Sequence, residues 1–242
     1  MKFVLLFFLA PLLCTPNSKI TMPESSEKGF AVIELFTSEG CSSCPSADRL
    51  IEKTGEEYKG KDVLILSYHV DYWNRLGWKD RFSNAENTKR QNYYANIFRL
   101  NSIYTPQVVV NGTTEFVGSD RTRLVNAIRT SKKMSKELSI SVSADNNNKI
   151  AASYNISNKT LDQQILIALI EKKAVTEVKR GENEGRKLNH INIVRQFFIR
   201  EQNSGSVEFK ITEKNKEDYF IAILLQNEST GTIEGYAVTE IQ

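Results

Sequence analysis

Cys41 and Cys44, separated by Ser42 and Ser43, are two of only three cysteines in a chain of 242 residues. Two sulfurs at this spacing suit three kinds of chemistry: a dithiol that cycles with a disulfide, half of a four-ligand zinc site, or a small structural staple. Zinc needs two more ligands, and the chain has only His69 and His190, distant from each other and without paired spacing. A staple across two intervening residues closes so small a loop that it restrains the unfolded chain least. A redox pair needs a local field that holds one sulfur as a thiolate.

The neighbouring elements supply such a field. Residues 30–36, "FAVIELF", are a β-branched and aromatic run that reads as a buried strand. From Pro45 the pattern turns helical, with Ala47, Leu50 and Ile51 on one face and proline at a favoured first position. Residues 62–70, "DVLILSYHV", form a second buried strand. Strand, helix, strand is a βαβ unit of a parallel sheet, and its cysteines fall where the first strand ends and the helix begins. There the positive end of the helix lowers a thiol pKa, so Cys41 is the expected nucleophile. Cys44, one turn in, is the expected resolving thiol. His69 and Asp71 end the second strand at the same sheet edge, where an imidazole can move protons or favour the Cys41 thiolate.

Residues 71–103 are less regular and rich in aromatics, among them Tyr72, Trp73, Trp78, Tyr93 and Tyr94; they contain one helix that Asn84 is placed to cap. Two short strands then meet at Asn111 and Gly112, a hairpin signal, and a helix capped near Ser119 or Asp120 follows. After about residue 136 strand-type alternation takes over at intervals of roughly 10 to 20 residues, the pattern of an all-β sandwich. Within it "RGENEGR", residues 180–186, reads as an exposed turn between strands, and His190 as a sheet residue.

The N-terminus has one Lys before an apolar run that ends at Leu13 and is too short to span a bilayer. It reads as a signal peptide over residues 1–18 followed by a polar tether over 19–27. Cys14 stands where a lipoprotein would carry its lipid anchor, although Leu13 replaces the small residue expected before it. The expected location is therefore extracytoplasmic, periplasmic or secreted, where disulfides persist. With 40% hydrophobic and 25% charged residues and a net charge of +3, the composition is that of a soluble globular protein, and without a basic stripe it points away from nucleic acid.

The order strand, Cys41-Ser-Ser-Cys44, helix, strand, helix, "YTPQVVVNG", hairpin and helix resembles the thioredoxin superfamily over residues 28–135. More narrowly, "ELFTSEGCSSCPSAD", "HVDYWNRLGWKD", "YTPQVVVNG" and "KRGENEGRKLNHINIVR" resemble a family of secreted bacterial thioredoxin-like proteins of the DUF1223 type. The fold class this implies is α/β: a thioredoxin-like fold with a helical insertion at about 71–103, then a C-terminal all-β, sandwich-like domain over 136–242. The resemblance also implies that Pro106 is cis and faces the sulfurs, that Thr105 offers backbone groups to an extended substrate, and that the Ser42-Ser43 dipeptide tunes the reduction potential. Glu34, seven residues before Cys41 and one more than the resemblance implies, is either the buried carboxylate that takes the resolving thiol's proton or, in the other register, a residue that faces solvent. Trp73 and the other inserted aromatics would cap the site as an apolar groove or pack the inserted helix onto the sheet.

The implied activity is thiol-disulfide exchange with a protein thiol or disulfide substrate, reset by a redox partner, with no diffusible cofactor and no metal. Two other readings stay open. One is a non-enzymatic envelope binding module with a structural disulfide. The other is copper handling, which soft thiolates and an imidazole suit, although copper carriers of this fold space their cysteines by three residues.

Overall fold

The computed structural model describes residues 29–131, 139–144, 149–157, 159–211 and 215–241. The expected signal peptide and tether, with Cys14, lie outside the described residues.

The chain runs β1 (Ala31–Thr37), α1 (Cys44–Glu57), β2 (Val63–His69), α2 (Ala85–Ile97), β3 (Gln107–Val110), β4 (Thr114–Val117) and α3 (Arg121–Arg129). It continues with β5 (Ser139–Ala144), β6 (Lys149–Asn155), β7 (Gln163–Glu177), β8 (Lys187–Arg200), β9 (Ser204–Lys210), β10 (Tyr219–Asn227) and β11 (Ile233–Glu240). β1 and β2 are parallel, joined through α1 as the sequence pattern requires. β3 lies antiparallel on the other side of β1 and turns into β4 through Asn111 and Gly112, both at positive φ. Asn84 accepts from the Asn87 amide at 2.8 Å and Asp120 from the Arg123 amide at 2.9 Å, so both expected helix caps are in place.

The two halves of the chain share one eight-stranded sheet of order β11-β10-β7-β8-β2-β1-β3-β4. The junction is β8, which pairs with β2 in parallel at Ser67 and Ile193 and with β7 antiparallel. A three-stranded sheet, β5-β6-β9, packs against β7 and β10. The C-terminal region is therefore sandwich-like, but its larger layer continues the sheet of the first half.

Alternation along β1 divides the core. Ala31, Ile33 and Leu35 face α1 and α3 with Ala47, Ile51 and Leu124. Val32 and Phe36 face α2, in a second core with Tyr68, Tyr94, Leu166 and Leu224. The β3–β4 turn rests on the β10–β11 turn: a Cβ at Gly112 would lie 1.7 Å from the Gly231 carbonyl oxygen, so only glycine fits there.

Candidate functional site: a covered disulfide

β1 carries the chain to Thr37, a turn follows, and α1 begins at Cys44 with Pro45 in its first turn. Cys41 and Cys44 are bonded to each other across the amino end of that helix. Cys41 Sγ lies 3.3 Å from Ser43 Oγ. Ser42 and Ser43 are exposed, whereas both cysteines are 0% exposed.

Two segments surround them. The first is the loop after β2. A Cβ at Gly40 would lie 3.1 Å from Trp73 Cβ, and the Trp73 indole donates to Thr105 Oγ1 at 2.8 Å. Trp73 thus bridges the cysteine loop and the Thr105–Pro106 peptide, which is cis as expected. Pro106 is buried, and Gly118 lies between it, Leu35 and Ala47 of α1, so the proline loop packs beside the first turns of that helix.

The second segment is the β7–β8 turn, from the far half of the sequence. The Asn183 side chain, fully buried, donates to the carbonyls of Glu39 at 2.8 Å and Cys41 at 2.9 Å. The Ser42 amide donates to Glu182 Oε2 at 3.1 Å. The expected exposed turn is in part a cover on the cysteine loop.

Close by is a buried cluster of acids and imidazoles. His69, at the end of β2, has Nδ1 2.6 Å from Asp80 Oδ2, and its ring lies 4.8 Å from that of His190 on β8. Burial alone would lower the His69 pKa, but Asp80, with Asp48 and Glu39, raises it above its ordinary value. Burial would likewise raise the Asp80 carboxyl, yet His69 and the amides of Glu39 and Phe82 hold it below the usual range. Glu39 Oε2 accepts from the Trp78 indole at 2.7 Å. Glu39 Oε1 is 3.3 Å from His190 Nε2 but not aligned for a hydrogen bond. Asp48, one helical turn after Cys44, accepts from the Thr37 hydroxyl at 3.0 Å, and burial pushes its carboxyl up against the opposing pull of His190 and His69.

Glu34 is not brought to the cysteines. It lies on the Val32 and Phe36 face of β1, turned from α1, where Arg90 Nε approaches Oε1 at 2.5 Å and the Tyr94 hydroxyl donates to Oε2. With both oxygens taken by residues of α2, it is the anion of a structural ion pair. The carboxylate nearest the resolving cysteine in the helix is Asp48. Residue parity carries this signal: α1 packs on the odd-numbered face of β1, and Asp48 follows Cys44 at the i+4 spacing that shares a helix face. Glu39, Asp80, Glu182, Asn183 and His190 all lie in the stretches that carry the family resemblance, but neither residue type nor spacing shows that they meet at the cysteines. Among the described residues no three His, Cys, Asp or Glu side chains converge in a way that could hold a metal ion.

A protein-family model described as protein of unknown function (DUF1223) matches residues 32–226. The chain belongs to the DUF1223 family. A thioredoxin from Methanocaldococcus jannaschii is 31% identical over 98 residues, 40% of this chain and 91% of that protein. The X-ray crystal structure of an Agrobacterium tumefaciens protein superposes with a TM-score of 0.63 at 27% identity, covering 86% of this chain and 92% of the other. This DUF1223 chain thus combines a thioredoxin-like, disulfide-bearing module with a β-rich region. A domain of the outer membrane lipoprotein Omp28 from Porphyromonas gingivalis matches with a TM-score of 0.29 at 12% identity, over 44% of this chain and 87% of that domain, too remote to bear on fold or location. No helix among the described residues is long and apolar enough to cross a membrane.

Proposed function

We propose that the chain exchanges disulfides with protein thiols through Cys41 and Cys44. The observation that carries this reading is the position of the bond: it closes across the amino end of α1, where a released Cys41 thiolate would meet the positive helix end. Similarity to a protein named thioredoxin supports it. Trp73 and Thr105, both half-buried, and the buried cis Pro106 that follows Thr105 are the residues proposed to position an extended substrate, with Ser42 and Ser43 exposed nearby.

In the reducing direction the Cys41 thiolate attacks a substrate disulfide; one S–S bond forms as another breaks, and a substrate sulfur leaves as thiolate. Cys44 then gives up its proton and attacks Cys41 Sγ. The second substrate sulfur departs, and the protein keeps the Cys41–Cys44 bond. Two electrons and two protons have passed to the substrate, and the reverse sequence balances equally. Asp48 is the nearest carboxylate in the helix for the Cys44 proton, with His69 and His190 beside it.

A Cys44→Ser chain incubated with a disulfide-containing protein such as insulin is expected to accumulate a mixed disulfide through Cys41, seen by non-reducing electrophoresis and mass spectrometry, and Cys41→Ser to form none. Wild-type turnover no faster than that of a free dithiol, with no trapped adduct, would overturn the reading. A structural disulfide is the second reading, favoured by the full burial of both sulfurs; it predicts that the cysteine variants lose stability without any change in exchange. The exchange is proposed to occur outside the cytoplasm, supported by the apolar N-terminal run, and Cys14 retained and lipid-modified in the mature protein would mark an anchored form.

A further inference from the structure

Neither sulfur can be attacked while the surface above it is closed, because thiol exchange needs a nucleophile in line with the S–S bond. The β7–β8 turn, residues 178–186, is bonded to the backbone of the cysteine loop. It touches the cysteine loop at consecutive positions. A Cβ at Gly181 would lie 3.1 Å from Trp78 Cβ, so the turn rests on the loop after β2. Glu182 accepts from the Ser42 amide, and Asn183 donates both side-chain hydrogens to the carbonyls of Glu39 and Cys41. The remaining Asn183 atom, Oδ1, is buried without a hydrogen-bond partner. The amide is thus used for its two donors, and its acceptor is left unsatisfied at a cost the fold tolerates.

We propose that this turn is a latch over the Cys41–Cys44 disulfide, fastened by Asn183, and that a thiol reaches the sulfurs only after the turn has lifted. Asn183 is a positioning residue: it acts through the cysteine loop. The latch is sensitive to redox state by simple electrostatics. Reduction would put a Cys41 thiolate one residue from the Ser42 amide that donates to Glu182, adding a negative charge to the loop that carboxylate is bonded to and loosening the latch. Opening requires only the turn to part from its contacts, a local event of low cost relative to global unfolding.

The latch rests on the disulfide-exchange reading for its purpose, but its test does not. The oxidised full-length chain would be reduced by dithiothreitol, which supplies the two electrons and two protons, and the released thiols counted by maleimide mass labelling. The native wild type is expected to react at least about tenfold more slowly than the guanidinium-unfolded chain, and Asn183→Ala and Asn183→Asp to recover about tenfold or more of that rate while folded. Glu184→Gln, on the same turn but without a side-chain contact to the cysteine loop, is expected to react like the wild type. If Asn183→Ala does not fold, Asn183→Ser, whose hydroxyl can keep one of the two bonds, is read the same way. A native wild type as fast as the unfolded chain, or folded Asn183 variants as slow as the wild type, overturns the latch. Reduction rates that respond to Asn183 while no variant reduces insulin would retain the latch and sink the enzyme reading alone.

Discussion

Two buried polar clusters lie in this protein, and they are finished to different degrees. Around Glu34, the guanidinium of Arg90, the Tyr94 hydroxyl and the Gln226 amide bond one another: Arg90 also reaches Gln226 Oε1 at 3.3 Å, and Gln226 Nε2 donates to Tyr94 at 3.0 Å and to the Gly231 carbonyl at 2.7 Å. Apart from the Tyr68 hydroxyl nearby, the polar side-chain atoms there are satisfied. In the cluster beside the cysteines, Glu39 Oε1, His69 Nε2 and both ring nitrogens of His190 have no hydrogen-bond partner. A closed network fixes a fold. Beside the disulfide, donors and acceptors are left unspent, and there the sequence tolerates a cost in stability.

The largest effect should come from breaking the closed cluster. Arg90→Met leaves the Glu34 carboxylate buried and uncompensated, and is expected to destabilise the chain by about 3–5 kcal/mol in urea unfolding. Replacing both, as Glu34→Leu with Arg90→Met, should recover much of that loss, because the unpaired charge goes with its partner. Neither change should alter the reduction rate of Cys41–Cys44 in the molecules that remain folded. A change in that rate would mean that the two clusters are coupled and that their separation by β1 is only spatial.

The contrast also marks the limit of what the sequence shows. β1, α1 and β2 are legible because buried strands and an amphipathic helix impose different periods, and the turn at Asn111 and Gly112 because few residue pairs accept positive φ twice. The cysteine pair is legible for its residue type and for its place before Pro45. The pairing of β8 with β2 is not, since a parallel neighbour distant in sequence leaves no local mark. That hidden pairing brings His190 to His69, and the turn before β8 brings Asn183 to Cys41. Glu34 draws attention as an acid in an apolar strand, a property equally natural to an ion pair with a helix whose Arg90 faces inward.

An intermediate effect is expected from Asp80→Asn, which removes the charge facing His69. The loss should be about 1–3 kcal/mol, the cost of a buried hydrogen bond to a charged group. Its pH dependence follows from the two shifts. The His69 pKa is raised above 6.5 in the folded chain, so its share of the stability is present below 6.5 and is lost as pH rises through the folded value. The Asp80 pKa is lowered below 3.8, so its share is present above 3.8 and is lost as pH falls through the folded value. The difference between wild type and Asp80→Asn should therefore be greatest between pH 3.8 and 6.5 and shrink on either side. A difference that does not shrink as pH rises well above 6.5, measured by denaturant unfolding, would show that His69 is held neutral.

The smallest effect on stability, and the sharpest on chemistry, belongs to Asp48. Its pKa is raised by burial, so the ionised carboxylate destabilises the folded chain at neutral pH, and the penalty is relieved as pH falls through the folded value toward 3.8. Asp48→Asn keeps an acceptor for the Thr37 hydroxyl and removes the charge. It is expected to stabilise the oxidised protein at pH 7 by less than Asp80→Asn costs, with the gain vanishing in acid. A group whose ionisation is unfavourable in the resting disulfide is suited to hold a proton once Cys44 is released, so the same substitution should slow resolution of the Cys41 mixed disulfide while leaving its formation unchanged. Single-turnover kinetics separate those two steps. Equal slowing of both would assign Asp48 to the shape of the cysteine loop and return proton transfer to the two histidines.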